Sequence, residues 1–272
     1  MIAKEMKVPL YSDDSVIRSW ASNEYRVETF STISLLNRLT QKGNIKVNDA
    51  VELLANMIRK NYVFIPFNIN HLNISLQFAI KKYFEKNKKL LNKTELLDDE
   101  ILGAYISQFG NTSYDYQSLL KVATDWWIVL IENADFSEEI VRYCIESISY
   151  RLSMHTKSTI LGGISKDEHK IRYAGIWMMF LLKAVLLEKD ISKAWSTVKS
   201  VCEALFTRSE GDFSEILFQK IPKMFIEALE KNKEFDDTKK IETVFKFTSP
   251  LPSNDKEKVE LYIQKNKPNF MR

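Results

Sequence analysis

Two consecutive carboxylates, Asp13 and Asp14, follow a short apolar run in "VPLYSDDSVIRSWA", which begins at Val8. Acids at a strand end supply part of what Mg²⁺ or Mn²⁺ requires. These hard cations take oxygen ligands, and one carboxylate alone holds them weakly. A metal held in this way activates water and stabilises charge on a phosphate. The same aspartates suit a helix N-cap, where a carboxylate accepts first-turn amides and favours the dipole. Spacing leaves both roles open, and one site can serve both.

Other groups with chemical potential are weaker signals. Ser31 and Thr32 can cap a helix or orient a phosphate. Lys81, Lys82, Lys86, Lys88, Lys89 and Lys93 form a run that can follow a nucleic-acid backbone, or simply a solvated helix end. Asp98, Asp99 and Glu100 read as a helix start. His71, His155 and His169 do not pair at the spacing of a zinc helix. Cys144 and Cys202 lie far apart and read as reduced, buried thiols. Trp126 and Trp127 can stack on bases but sit in an apolar helical context that favours core packing. Gly162-Gly163 lacks the strand and spacing of a phosphate loop and reads as a turn between helices.

The elements that must position these residues alternate early in the chain. "KVPLY" and "RVETF" read as short strands. Val16, Ile17, Trp20 and Ala21 recur at helical spacing between them. Ile33, Leu35, Leu36 and Leu39 define the next helix, with Gly43 at its end. Asn48 is placed to cap a helix carrying Val51, Leu53, Leu54 and Ile58. "YVFIPF" reads as a third strand, and a helix from about Leu72 dissolves into "IKKYFEKNKKLLNK". Beyond about Thr94 the strand signal ends and at least five helical segments follow. Asp135 or Ser137 caps one, and Ser165 with Glu168 forms a capping box for another. The tail from Ser249 holds three of the six prolines and reads as peripheral.

The order of the first segment resembles the C-terminal half of a PIN domain, the fold of many metal-dependent ribonucleases. A strand ends in paired aspartates and an arginine-bearing helix, "LYSDDSVIRSWA". A strand then meets a hydroxyl pair, "VETFSTISLLNRLTQKGNI", and a helix leads to a closing strand, "AVELLANMIRKNYVFIP". Several PIN subfamilies carry D-D-x-x-x-R-x-x-A followed by G-T before the next helix; here Phe30-Ser31-Thr32 replaces that glycine. The resemblance covers roughly residues 6 to 80. It implies Mg²⁺- or Mn²⁺-dependent hydrolysis of RNA or DNA. Asp13 and Asp14 are then the catalytic acids at the metal, Asp13 as ligand and Asp14 as ligand or neighbouring acid, and Ser31, Thr32, Arg18, Lys81 and Lys82 nucleic-acid contacts. It also implies that another polypeptide or an upstream segment completes the sheet and supplies the remaining acids. The rival expectation is a non-catalytic helical interaction module with a PIN-like platform. A winged-helix DNA binder over 31–67 ranks third, because "NDAVELLANMIRK" offers few base-reading side chains.

The 272 residues, 45% hydrophobic and 28% charged, fit a folded chain of one large or two modest domains. A net charge of +3 is too small to imply a nucleic-acid partner by itself. "AGIWMMFLLKAVLL" is too short for a membrane span and is interrupted by Lys183. The expected fold is a partial α/β segment with a short parallel sheet over 1–92, an all-α domain over 93–235 and a peripheral segment over 236–272. The whole is predominantly helical, with a cytoplasmic location expected and no membrane association.

Overall fold

A computed structural model describes residues 2–62, 68–87, 99–155, 166–206 and 210–271. The chain is predominantly helical with one short two-stranded parallel sheet. It divides into two compact units, residues 1–88 with 98–105, and residues 89–97 with 106–272. No described helix is long and apolar enough to cross a membrane.

The first unit runs α1 (Ile2–Met6), β1 (Leu10–Tyr11), α2 (Ser15–Tyr25), β2 (Thr29–Phe30), α3 (Thr32–Gln41), α4 (Val47–Arg59), α5 (Ile69–Asn87) and the start of α6 (Glu100–Ser107). Helix α2 is the crossover between parallel strands, with Leu10 opposite Thr29 and Tyr11 opposite Phe30. The Leu10 and Ser12 amides donate to the Glu28 and Phe30 carbonyls at 2.8 and 3.0 Å. Arg26 ends α2 in the left-handed region, with φ of 54°, so that the chain can turn back into β2. Ala21, Val27 and Leu36 are buried, as are Val51, Leu54, Ala55 and Ile58 on one face of α4. Leu72, Leu76 and Ala79 form the buried stripe of α5. The Tyr105 hydroxyl donates to the Val51 carbonyl at 2.9 Å and ties α6 to α4.

Both predicted strands form, but each is only two residues long. Residues 63–67 of the expected third strand lie outside the described residues. Helix α4 starts after Lys46, which makes no side-chain cap, so Asn48 is a first-turn residue instead of the predicted cap. Helix α5 does not dissolve at the lysines but continues through Asn87. Lysine and glutamate are good helix formers, and the buried stripe anchors the preceding turns.

The second unit contains α7 (Tyr116–Glu132), α8 (Glu138–Met154), α9 (Lys166–Leu186), α10 (Ile191–Phe206), α11 (Glu210–Glu215), α12 (Ile221–Lys231), α13 (Asp237–Thr248) and α14 (Ser253–Asn266). A π-helical turn, Ile216–Lys220, joins α11 to α12. Pro222 has no N–H to offer the preceding turn, and the widened turn absorbs the break. Ser137, not Asp135, caps α8 by accepting the Ile140 amide. Ser165 of the expected capping box lies outside the described residues.

Trp126, Trp127, Trp177 and Trp195 are fully buried, which assigns the tryptophan pair to the core. The Trp177 indole N–H donates to the Ser149 hydroxyl at 3.0 Å. That of Trp195 donates to buried Asp255, which also accepts from Lys199. Cys144 and Cys202 are free and buried, and burial pushes both thiols well above their ordinary range. The C-terminal segment is not peripheral: Val244 and Phe247 of α13 and Val259 and Ile263 of α14 belong to this core.

Candidate functional site

The parallel register brings the C-terminal end of β1 beside the N-terminus of α3. Asp13 stands two residues beyond Tyr11, and Thr32 opens α3 directly after β2. Asp13 Oδ1 accepts the Thr32 amide at 2.7 Å. Its Oδ2 accepts the Thr32 and Tyr11 hydroxyls, both at 2.8 Å. Those two hydroxyl oxygens are themselves 2.6 Å apart. The result is a closed ring of Tyr11, Asp13 and Thr32 across the strand ends. Burial pulls the Asp13 carboxyl upward, but the Thr32 amide and hydroxyl, the Tyr11 hydroxyl and the Arg18 charge outweigh it. Its pKa therefore lies below the ordinary 3.8.

Asp14 has a different task. Its Oδ1 accepts the Val16 and Ile17 amides at 2.7 and 3.1 Å, so it is the N-cap of α2. Asp14 thus takes the capping role, while Asp13 accepts from Thr32 and Tyr11 across the strand ends. Arg18 Nη1 donates to the Ser12 carbonyl at 2.8 Å, which fixes the loop that carries Asp13. Ser31 caps α3 through a capping box with Ser34. Thr32 is thus the member of the hydroxyl pair that reaches Asp13.

The predicted lysines belong to another element. Lys81 and Lys82 lie on α5, and the Lys82 ammonium is 3.5 Å from Asp99. Asp99 caps α6 by accepting the Ile101 and Leu102 amides, and Glu100 pairs with Arg59 at 2.7 Å. Lys88, Lys89, Lys93 and Asp98 lie outside the described residues. Tyr11 is the member of the ring that sequence reasoning missed. Its signal was a hydroxyl two residues before Asp13, on the same face of a period-two strand.

A carboxylate offers about four lone-pair sites, and three of those on Asp13 are occupied by the ring. Among the described residues, no group of three or more His, Cys, Asp or Glu side chains is placed to hold a metal ion. Alone, therefore, Asp13 offers one weak ligand position.

Among the described residues, no strand pairs with the other edge of β1. Leu10 and Ser12 face β2, so the alternation of a parallel ladder turns the Tyr11 amide and carbonyl the other way. Together with the Pro9 carbonyl and Asp13 amide, they make no hydrogen bond to any described residue. Val16, Ile17 and Trp20 line the outer face of α2 and are 74%, 44% and 51% exposed. Comparison with family models, curated proteins and solved structures gives no match.

Proposed function

We propose that the first unit is part of a PIN-like, metal-dependent nuclease core acting on RNA or DNA, silent as this chain alone. The observation that carries this reading is the ionised Asp13 at the C-terminal end of an open-edged parallel strand. A further strand, from another segment or polypeptide, would pair with Tyr11 and bring its own terminal acid beside Asp13. The converging carboxylates would then hold Mg²⁺ or Mn²⁺, which supplies the activated water and offsets charge on the phosphodiester. This chain's contribution is to keep Asp13 deprotonated and oriented through Thr32 and Tyr11, while Arg18 fixes the loop.

The exposed apolar stripe of α2 also supports a second reading, in which the same platform docks a partner without catalysis. Cleavage of single-stranded RNA and DNA in Mn²⁺ separates the two. The chain would be tested alone and as the assembly recovered from its native cells. The nuclease reading expects cleavage by the assembly only, reduced at least 100-fold by Asp13→Asn. An assembly that cleaves neither substrate, or whose cleavage ignores Asp13→Asn, overturns it in favour of docking.

A further inference from the structure

One surface of the first unit is set apart by its charge. Between Glu28 and Asp49 the chain carries Arg38, Lys42 and Lys46 and no acid. With 36 acids among 272 residues, a stretch of that length ordinarily holds two or three. The three cations lie on α3 and on the turn that leads to α4, and all are exposed. Ser31, Leu35, Arg38 and Lys42 follow one another at steps of three and four residues, so they share one face of the helix. That face starts where Thr32 holds Asp13 and runs about 15 Å to Lys42. Arg38, Lys42 and Lys46 make no ion pair or side-chain hydrogen bond to any described residue, whereas Arg59 on α4 pairs with Glu100 at 2.7 Å.

Helix stability does not account for this arrangement. Arg38 and Lys42 are like charges at i and i+4, which repel. The α3 dipole favours cations at its C-terminal end and so suits these two. Lys46, however, flanks the N-terminus of α4, where the dipole disfavours a positive charge and Ser, Thr, Asp or Asn is the favoured cap. A polyanion relieves both conflicts. At the opposite end of the α3 face stands an aromatic group. The Tyr11 ring is 52% exposed and lies 5.4 Å from that of Phe30, the residue before Ser31. Exposed cations along a ridge that begins beside an exposed ring suit single-stranded nucleic acid, whose phosphates follow a basic surface while its bases stack on aromatic faces. An acidic peptide has no such use for the ring.

We propose that α3 and the turn after it bind the backbone of single-stranded nucleic acid, with Arg38, Lys42 and Lys46 on phosphates and a base stacked on Tyr11. This rests on the nucleic-acid side of the nuclease reading and adds to it the path of the strand, from Asp13 toward the α3–α4 turn. Such binding requires neither a metal nor an added strand, so it belongs to this chain alone.

The probes are fluorescein-labelled oligouridylate and oligothymidylate, about twelve nucleotides long, titrated with the full chain in EDTA and read by anisotropy. Three phosphate contacts predict that affinity falls about 20-fold between 50 and 200 mM salt. Each of Arg38→Gln, Lys42→Gln and Lys46→Gln should lower the slope of log K against log salt by about 0.7, and the triple variant should abolish the dependence. Glutamine favours helix nearly as well as lysine and arginine, so these variants keep the fold. Tyr11→Leu should weaken binding about fivefold, whereas Tyr11→Phe, which keeps the ring and loses the hydroxyl, should bind like the wild type. Lys233→Gln, at an exposed lysine of the second unit, should also bind like the wild type. The proposal is overturned by absence of binding at 50 mM salt, or by a salt slope unchanged in the triple variant. It is equally overturned if Tyr11→Leu binds as tightly as Tyr11→Phe, or if polyglutamate competes as well as the oligonucleotide. Its failure is distinct from that of the nuclease reading. Cation-dependent binding by a chain whose native assembly never cleaves removes the nuclease alone; Asp13-dependent cleavage with normal binding by the triple variant removes this surface alone.

Discussion

Replacing Asp13 with alanine removes three hydrogen bonds to a charged acceptor and opens the ring that joins the end of β1 to α3. Bonds of this type contribute about 1.5–3 kcal/mol when desolvated. Asp13 is exposed, however, and water replaces much of what is lost. The Thr32 amide is a first-turn donor, so the loss resembles that of an N-cap, about 1 kcal/mol. This corresponds to roughly fivefold faster opening of the strand pair, read by amide exchange at Leu10, Ser12 and Thr32. Asp13→Asn keeps an acceptor for the Thr32 amide and should lose about half as much. The effect depends on pH with a definite sign. The folded pKa of Asp13 is depressed below 3.8, so its stabilisation is fully present above that unfolded value. It is lost as pH falls through the lower, folded value. If Asp13→Ala leaves exchange at all three amides unchanged at pH 7, the ring does not hold these elements together.

Other perturbations separate roles that the sequence merged or left unread. Asp14→Ala should destabilise α2 by about 1 kcal/mol, measured as faster exchange at Val16 and Ile17, without altering the Thr32 amide. His71 has a buried, unpartnered Nδ1, and burial depresses its pKa below 6.5. The stability it contributes is therefore present above pH 6.5 and fades as pH falls below that value; His71→Gln should flatten this part of a urea-stability profile. Asp255→Ala leaves the Trp195 indole N–H and the Lys199 ammonium without their shared acceptor. It should cost about 2–3 kcal/mol in chemical denaturation, far more than truncating an exposed pair such as Lys246 with Glu188.

The predominantly helical fold with one short parallel sheet was legible because its apolar residues keep clear periods. Val51, Leu54 and Ile58 mark α4, and the buried tryptophans mark the core of the second unit. Paired aspartates identified the strand end, but spacing could not divide them into an N-cap and a ring member. That division depends on the register that places Thr32 beside Asp13, a contact spanning 19 residues. Tyr11 had only its spacing from Asp13 to mark it, because its approach to Thr32 joins two elements 21 residues apart. The tail misled through its prolines. Pro252 and Pro268 stand at the starts of helical turns, where a missing N–H costs nothing, and the helix between them is anchored by Val259 and Ile263. Lysines near the end of α5 read as the point where the helix dissolves, although lysine itself favours helix.

Residue-resolved amide exchange along β1 tests the open edge beside Asp13 most directly. In the isolated chain, Leu10 and Ser12 should be protected while Tyr11 and Asp13 exchange at near-solvent rates. In the assembly recovered from native cells, the Tyr11 and Asp13 amides should become protected as the added strand pairs with them. Protection of Tyr11 in the isolated chain, or free exchange of Tyr11 in an assembly that cleaves nucleic acid, would contradict the account.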